Sequence, residues 1–470
     1  MKSIKMRGVV AAVSGALLFG FGANAMADST TDIVNALVAK GVLTEEEGSL
    51  IAKGHEGEVT GQAKAMKKAT KLSVSDAVDS AKLYGSFRLR EEYRDGEGYA
   101  ATGVTADSAR TRTRGKFELG VSTEVGKWYG DIAIAAGSSG RSDNFTFGNA
   151  SNGEFNPKES IYLKRAMLGW KATDWLTLEG GRMKNPLYTT SMVWDADYSV
   201  SGLTEKFNYK TQAGTEWFLT LGQWANYQMD RTLTDNYSNG ATPVSTATGE
   251  IYAFQAGVKA PITDKVSSAK LAVTHYEYGT SNGRGAYSPG SPTGGPSSGV
   301  YGVNYLNIWE IPAEVNYMVR DNVGLRVFGE YVYNADGDKR AAAAGYASEN
   351  DDTSWMLGLK VASAKDLAAF EGNKQKAGDW QATLWYQETG AFAQDHNLSD
   401  SDLFDSRLNM KGVVLKANYF FEDNVSFDLT AAHAERNNDN LGTAWSAGAD
   451  ISKLNLTDFN LLQLDVNYKF

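Results

Sequence analysis

The chain of 470 residues has no cysteine, only four histidines and only eight prolines. The absence of cysteine excludes disulfide scaffolds, thiolate zinc sites, haem attachment through cysteine and cysteine nucleophiles. The histidines are His55, His275, His396 and His433, and they are too widely spaced to predict a histidine-rich metal site. The sequence therefore predicts no catalytic residues, no metal site and no cofactor.

Long hydrophobic runs are also missing. After the first 27 residues, no apolar run approaches the roughly 20 residues that a membrane-spanning helix needs. The net charge is −10, which argues against nucleic-acid binding, because that function needs a basic face. Aromatic residues, in contrast, are abundant: 23 tyrosines, 19 phenylalanines and 11 tryptophans, alongside 49 glycines. This composition is typical of a secreted all-β protein or of a membrane β-barrel.

Residues 1–27 predict a bacterial secretory signal peptide. The segment begins with basic residues, continues with a short apolar run over 9–21 and ends with Ala25-Met26-Ala27, which fits a signal-peptidase site. The alternative is an uncleaved anchor helix, but the apolar run is short and interrupted by glycine.

Residues 28–82 differ from the rest of the chain and predict a periplasmic segment with two short helices. Helical spacing covers residues 31–40, and Thr44-Glu45-Glu46-Glu47 is a capping box that opens a second helix. The following residues are polar and rich in lysine. Two interpretations stay open: a periplasmic linker, or a short coiled coil that helps to assemble a trimer.

From Leu83 onward the sequence alternates with a period of two, which is the pattern of a strand with two different faces. Seven short turns alternate with long polar connections and predict about sixteen strands in residues 83–470. The expected fold is all-β: a transmembrane antiparallel β-barrel with both chain ends in the periplasm. The short turns are Glu124–Lys127, Ala172–Asp174, Thr211–Gly214, Pro261–Lys265, Arg320–Asn322, Ala364–Gly378 and Phe421–Asn424.

Aromatic residues cluster at both ends of the expected strands, as they do at membrane interfaces. The set beside the short turns is Trp128, Trp170, Trp175, Tyr317, Trp380, Tyr419, Phe420 and Phe470. The set at the opposite ends is Tyr93, Tyr227, Tyr276, Tyr278, Tyr331, Tyr333 and Trp355.

The signal peptide, the alternating strands and the C-terminal Tyr468-Lys469-Phe470 resemble Gram-negative outer-membrane porins. More specifically, the chain resembles the "putative porin" family related to phosphate-selective porins O and P. The motifs are Leu37–Glu47, the arginine-rich first strands and Gly181–Tyr188. The resemblance implies a passive diffusion channel whose Tyr468 and Phe470 are read by the barrel-assembly machinery. No dense arginine or lysine ladder runs through many strands, so the resemblance does not extend to phosphate selectivity.

The first two strands carry the strongest charge feature, which predicts a basic stripe on the inner wall. Two interpretations stay open: a field that favours anions and gives a weak anion preference, or a salt-bridged wall that only stiffens the barrel. The expected pore-lining residues are Arg88, Arg90, Arg110, Arg112, Arg114 and Lys116, with Glu92 and Glu118 on the same face.

The third long connection predicts a constriction loop, because its apolar centre, Met192-Val193-Trp194, would not be needed in an exposed loop. An ordinary packed surface loop is the alternative. The expected residues are Arg182, Lys184, Asn185, Pro186, Tyr188, Trp194, Asp195 and Asp197. A different outer loop is expected to hold Asp395, Asp400, Asp402 and Asp405, as solvated charge or as ligands of cations that bridge lipopolysaccharide.

Two functions fit these features. The first is a passive channel for small hydrophilic solutes in the bacterial outer membrane. The second is a structural or interaction barrel, such as a receptor, an adhesin or a sheath, and an enzyme is not expected. The expected partners are outer-membrane lipid, lipopolysaccharide, the barrel-assembly machinery and two further copies of the chain in a homotrimer. The trimer is inferred from small residues expected on the outer face: Gly115, Gly130, Ala133 or Ala136, and Gly169.

Overall fold

A computed structural model describes most of residues 78–470. The described residues are 44, 78–99, 105–137, 142–148, 158–225, 249–263, 266–280, 305–343, 346–372, 376–395, 398–400, 402–404, 408–441 and 455–470. They belong, apart from Thr44, to a unit that spans Val74–Phe470. The expected signal peptide and the two expected helices before residue 54 lie outside the described residues.

Strands make up almost all of the regular structure. They are β1 (Ser80–Tyr99), β2 (Thr105–Val125), β3 (Trp128–Ala136), β4 (Asn144–Thr146), β5 (Ile161–Lys171), β6 (Leu176–Lys184), β7 (Ser199–Lys210), β8 (Glu216–Ala225), β9 (Gly249–Thr263), β10 (Ser267–Thr280), β11 (Asn307–Arg320), β12 (Val323–Asn334), β13 (Thr353–Ser363), β14 (Trp380–Thr389), β15 (Met410–Glu422), β16 (Val425–Arg436) and β17 (Asn455–Lys469). Two short helices, α1 (Gly337–Ala343) and α2 (Leu367–Gly372), and a 3-10 turn at Asp439–Leu441 complete the described elements. None of these helices is long and apolar enough to cross a membrane.

The sheet is closed and antiparallel. β1 pairs with β2 on one side and with β17 on the other, where Arg88 lies opposite Asn467 and Tyr99 opposite Asn455. The segments β3 and β4 pair with successive parts of β2, so they share one strand position. The seventeen segments therefore form sixteen strand positions, and the predicted sixteen-stranded barrel is confirmed.

The two faces of each strand meet different environments, as the alternation predicts. In β1, Leu89 and Tyr93 are exposed, whereas Arg90 and Glu92 between them are buried. The terminal strand β17 repeats the pattern, since Leu462, Leu464 and Val466 are exposed on the face opposite Gln463 and Asp465. Apolar side chains thus cover the outside of the barrel. The inner face carries the charged side chains and also a buried apolar cluster that includes Ile251, Val332 and Met356.

Seven short connections join strands at one end of the barrel, and this prediction is confirmed. Gly126 and Asn424 adopt positive φ angles of 56° and 63° in two of these turns, a conformation that glycine and asparagine tolerate best. The start of β1 and the C-terminal Phe470 lie at the same end, because Ser80 pairs beside the first short turn and Lys469 pairs with Ser86.

Most of the expected interface aromatics point outward, but three expectations about them are wrong. Tyr276 and Phe420 are buried on the lumen side of their strands. Tyr278 lies on the same face of β10 as Tyr276 and packs against the buried cluster inside the barrel. Tyr276 donates a hydrogen bond to Glu310, so its hydroxyl serves an internal polar network instead of the lipid headgroups. Tyr227 lies outside the described residues.

The expected row of small residues on the outer face is also partly wrong. Gly115 lies opposite the outward Leu89, and Gly130 belongs to the same outward row as Ile132. Of the alternatives Ala133 and Ala136, Ala136 lies in the outward row, because it is opposite Phe117, which is opposite the exposed Phe87. Ala133 faces the lumen, and so does Gly169, which lies opposite the lumen-facing Tyr129. The irregular register between β3 and β5 has no visible signature in the sequence.

Deletion of Phe470 is expected to lower the yield of closed barrel. Phe470 exchanges two backbone hydrogen bonds of 3.1 Å with Gly85 across the seam. Together such bonds stabilise the seam by about 1–3 kcal/mol. Any side chain at Gly85 would overlap the Phe470 ring. The measurement is the fraction of folded, heat-modifiable protein in the outer membrane, with the exposed Phe421→Ala as the matched control. Normal folding without Phe470 would contradict this account of the seam.

Candidate functional site in the barrel lumen

A band of basic side chains lines the lumen on β1 and β2. The register places Arg90 opposite Arg114, Arg88 opposite Lys116 and Arg94 opposite Arg110. We call the set Arg88, Arg90, Arg94, Arg110, Arg112, Arg114 and Lys116 the N-terminal basic wall. Arg94 is absent from the sequence prediction, although it continues the same alternation.

Glu92 lies at the centre of this wall and is fully buried. It accepts a hydrogen bond from Nη2 of Arg94 at 3.4 Å and another from Nε of Arg112. Nε of Arg94 forms an ion pair with it at 3.0 Å. Nη1 of Arg114 lies 3.4 Å away, and the amide of Gln463 on β17 donates at 2.9 Å. One carboxylate is thus shared by several guanidinium groups.

Two more carboxylates reach the wall from distant parts of the chain. Asp465 on β17 accepts a bidentate pair from Arg90, with distances of 2.7 Å to Nε and 2.8 Å to Nη2. Asp402, in the connection between β14 and β15, contacts Arg90 and lies 3.3 Å from both Arg94 and Arg114. Burial alone would raise the pKa of Asp402, but Arg90, Arg114 and Arg94 hold it well below its usual range.

The position of Asp402 corrects the expectation that these aspartates lie in a solvated outer loop. Asp395 is buried, and Asp402 is bound to the inner wall of the barrel. The many aspartates in this connection favoured an exposed loop. In the structure the neighbouring side chains of Leu398, Leu403 and Phe404 are buried, and they hold the connection inside the barrel. Asp405 lies outside the described residues.

The charges continue along β3 and β5 in alternating sign. Lys116 pairs with Asp197 and lies 3.4 Å from Asp143. Glu118 accepts from Lys164 at 2.9 Å and also from Arg165. Arg165 reaches Asp131 at 2.7 Å as well. Sequence reasoning missed Lys164 and Arg165, because the bulge in β5 interrupts a simple alternation. It also missed Asp131 on β3 and Asp143 just before β4.

The wall is therefore rich in cations but locally balanced. Each of Arg88, Arg90, Arg94, Arg112, Arg114 and Lys116 has a carboxylate oxygen within 4.0 Å. This geometry favours the salt-bridged wall over an unbalanced field as the main role of these residues.

The connection between β6 and β7, residues 185–198, crosses the lumen, and we call it the first inner loop. The backbone N–H of Tyr188 donates to Gln255 on β9 at 2.8 Å, and its hydroxyl donates to Glu314 on β11 at 3.1 Å. Thr190 donates to Glu330 on β12. At its other end, Asp197 pairs with Lys116 on β2. The loop thus links two separate parts of the inner wall.

The apolar centre of the first inner loop anchors it. Met192, Val193 and Trp194 are buried, and the indole N–H of Trp194 donates to the hydroxyl of Tyr276 at 3.1 Å. The ring of Trp194 also packs edge-on against Trp224 at 6.0 Å. These contacts place the loop inside the barrel and make it the geometric candidate for a constriction.

The other expected loop residues have smaller roles. Arg182, on β6, donates to the carbonyl of Lys164 at 3.0 Å and to Ser201 at 3.2 Å. Asn185 caps the first turn of the loop by accepting from the N–H of Leu187, and Pro186 is half-buried beside it. Lys184, at the end of β6, is exposed.

A second inner loop, formed by the described residues 390–395, 398–400, 402–404 and 408–409, packs against the first. The N–H of Asp195 donates to the carbonyl of Leu398, the N–H of Asp400 donates to the carbonyl of Ser191, and the amide of Gln394 donates to Met192. Asp195 is therefore buried between the loops, and Asp402 fixes the pair of loops to the N-terminal basic wall.

A third element lies nearer the short turns. Helix α2 folds onto the inner wall, where Phe370 is buried above Gly324. The carboxylate of Glu371 lies 2.5 Å from Nζ of Lys259 and accepts from Asn316 at 3.3 Å. This helix lies in the connection between β13 and β14, the sixth of the predicted turns, which is longer than the other six. Within the described part of the chain, no group of three or more His, Asp or Glu residues has the arrangement of a metal site.

Comparisons with known proteins give one family match. The family described as "Putative porin" matches residues 91–293. A solved structure, the anion-selective porin from Comamonas acidovorans, is 11% identical with a TM-score of 0.41, over 83% of this chain and 99% of that chain. A search of curated proteins finds no match.

Replacement of Asp402 by Asn is expected to raise the preference for anions about twofold, because it removes one charge that balances three guanidinium groups. It is also expected to weaken the docking of the second inner loop by about 3–5 kcal/mol. The measurement is the reversal potential in a KCl gradient, with the exposed Asp321→Asn as the control. An unchanged potential, or a shift toward cations, would contradict the balance described above.

The same ion pairs set a pH dependence. The pKa of Asp402 is lowered in the folded protein. The ionised Asp402 therefore stabilises the fold fully above the ordinary aspartate pKa of about 4, and this contribution is lost only as the pH falls through the lowered pKa of the folded protein. We therefore expect that the reversal potential of the Asp402→Asn variant differs from wild type equally at pH 7 and pH 5.

Proposed function

We propose that this chain, a porin by its family match and its closed sixteen-stranded barrel, is a passive diffusion channel for small hydrophilic solutes. The observation that carries the proposal is the first inner loop. Its apolar centre packs inside the barrel in one buried cluster with inner-wall side chains such as Trp224 and Tyr276, so the loop occupies part of the lumen. Narrowing by an inward loop sets size and charge selection in a wide barrel.

The membrane placement follows from the outer surface. Exposed tryptophan and tyrosine side chains, such as Trp128 and Trp217 near the short turns and Trp309 and Tyr331 near the other end, support two interface belts. Short turns of such barrels face the periplasm. We therefore place the chain in the bacterial outer membrane with both ends of the barrel sequence on the periplasmic side.

A weak anion preference is part of the proposal. The lumen-facing side chains on β1, β2 and β5 are mostly cationic, but carboxylates within 4.0 Å balance them. Such a wall attracts anions less than its arginine content alone would suggest. Charges inside a narrow passage still act more strongly on an ion than screened charges outside it.

The second candidate is a barrel that conducts little and serves as a receptor, an adhesin or a sheath. The observation that favours it is the amount of lumen that the two inner loops and α2 occupy. Conductance separates the two functions directly.

Purified protein in planar bilayers is expected to give steady ohmic steps. Replacement of residues 187–195 by Gly-Ser-Gly should raise the single-channel conductance, because it removes the anchored centre of the first inner loop. Replacement of residues 286–294, in the connection between β10 and β11, by the same tripeptide is the matched control. Silence of the wild-type protein would favour the second candidate, and equal conductance of wild type and loop variant would contradict the constriction.

The proposed partners are outer-membrane lipid, lipopolysaccharide, the barrel-assembly machinery and two further copies of the chain. The outward Gly130 supports a close contact between barrels, because small residues let backbones approach in lipid. We expect a trimeric mass in mild detergent, measured with the bound detergent accounted for. Gly130→Leu should shift the mass toward the monomer, whereas Ala133→Ser on the lumen side should not. A monomeric wild-type protein would refute the trimer.

A further inference from the structure

Two glutamates on neighbouring strands are buried beneath the first inner loop, and we call Glu310 on β11 and Glu330 on β12 the glutamate pair. Their side chains are 0% and 4% exposed. The register places Glu310 opposite Val332 and Glu330 opposite Pro312, so the two glutamates are diagonal neighbours on the inner face of the barrel. Long side chains in this relation can touch. A hydrogen bond joins the two carboxyl groups here.

The glutamate pair differs from the other carboxylates of the lumen because no cation accompanies it. Glu92, Asp402 and Glu118 each lie against arginine or lysine side chains. Within the described part of the chain, no lysine or arginine nitrogen lies within 4.0 Å of either member of the pair. Two ionised carboxylates in contact and out of water would repel each other strongly. Ionised carboxylates also only accept hydrogen bonds, so the bond between these two requires a proton.

One oxygen atom of the pair indicates where this proton lies. Oε1 of Glu310 is buried, and no N–H or O–H group among the described residues meets it with the geometry of a hydrogen bond. The other oxygen, Oε2, accepts a hydrogen bond from the hydroxyl of Tyr276. A buried acceptor without a donor is costly. A proton carried by Glu330 supplies the missing donor to Oε1 of Glu310.

Both glutamates are hydrogen-bonded to the first inner loop. The N–H of Thr190 donates to Oε1 of Glu330 at 3.2 Å, and the Thr190 hydroxyl donates to Oε2. On the other side, the indole N–H of Trp194 donates to Tyr276 at 3.1 Å, and Tyr276 donates to Glu310. The backbone N–H of Trp194 donates to the carbonyl of Thr190 at 3.0 Å. A closed chain of hydrogen bonds thus leaves the loop, passes through both glutamates and returns to the loop, and such chains strengthen each of their members.

The surroundings of the glutamate pair offer no other compensation for a negative charge. The side chains that lie beside it on the adjoining strands and the loop carry no charge: Thr274 on β10, Met356 on β13 and Thr189 in the first inner loop. The charged and titratable groups on these elements form a separate set, four residues or about 13 Å along each strand toward the short turns. They are Glu314 and Arg326, which lie 3.3 Å apart, Lys270 and Lys360 opposite them, and Tyr188, which donates to Glu314.

We propose that Glu310 and Glu330 share one proton that keeps the first inner loop attached to the wall, and that loss of this proton at alkaline pH releases residues 190–194 and widens the lumen. The proposal rests on the channel function proposed above. Without the proton, two carboxylates remain in contact, and pairing of β11 with β12 prevents their backbones from separating. The loop is the part that can move, and its departure admits water to both carboxylates.

The first test compares the single-channel conductance of wild type and Glu330→Gln between pH 7 and pH 10. The amide introduced by Glu330→Gln can donate to Glu310 and accept from Thr190 without a titrating proton. We expect the wild-type conductance to rise with pH toward that of the variant in which Gly-Ser-Gly replaces residues 187–195. Glu330→Gln should lose this rise. The matched control is Glu277→Gln, which changes an exposed glutamate on β10 and should keep the wild-type response.

A second measurement detects the proton itself and does not depend on conductance. The infrared spectrum of the purified protein at pH 7 should contain the C=O stretch of a protonated carboxylic acid that both Glu330→Gln and Glu310→Gln lack. Each variant leaves a single carboxyl beside an amide donor, so no shared proton is needed. The band should disappear from the wild-type spectrum as the pH is raised and should persist at pH 7 in Glu277→Gln. Heat modifiability shows that the variants fold, and either of the two pair variants suffices for the comparison.

The outcomes separate this proposal from the channel function. A conducting wild type without a rise in conductance, or an equal rise in wild type and Glu330→Gln, would overturn the release of the loop and leave the channel intact. A wild-type spectrum without the band would overturn the shared proton. A silent wild-type protein would overturn the channel function, and the infrared band would still decide whether the proton is present. If EDTA at pH 7 raises the conductance as alkali does, a metal ion joins the carboxyl groups and the proposal is wrong.

Discussion

The requirement that every backbone N–H and C=O group at membrane depth finds a partner within the protein determines the architecture. Lipid offers no hydrogen bonds, so a sheet in the membrane must close on itself. β1 meets this requirement by pairing with both β2 and β17. Closure then divides every strand into an apolar outer face and an inner face. It thereby collects the charged residues of distant strands, such as Glu92 and Asp465, in one lumen.

The lumen uses two different ways of keeping cations beside a protein wall. On β1 and β2, buried arginines share carboxylates, because an unpaired charge out of water is costly. On β10 to β15, half-buried lysines such as Lys270 and Lys416 lie against aromatic rings, and Lys270 also lies opposite Glu314. The first arrangement fixes the second inner loop through Asp402.

Local pattern was sufficient to predict the strands, their faces and the seven short turns, because period two and turn residues are local properties. It also predicted the inward position of the first inner loop, since Met192-Val193-Trp194 is too apolar for an exposed connection. The second inner loop and α2 were missed. Their positions depend on contacts with partners distant in the chain, such as Asp402 with Arg90 and Glu371 with Lys259, and no local pattern encodes those pairs. Tyr276 was misplaced for the same reason, because only its contact with Trp194 distinguishes it from an interface tyrosine.

The seam between β1 and β17 also has a consequence for biogenesis. Ser86 pairs with Lys469, so the final pairing joins residues at nearly opposite ends of the chain. Contacts of such long sequence separation form slowly, because they require a very long loop to close. β17 is also synthesised after all the other strands of the sheet. Until β17 pairs, the apolar outer rows of the earlier strands are unprotected and the edge of β1 stays open. The chain is therefore prone to aggregation until this pairing forms, and the time for which it needs protection is set by β17.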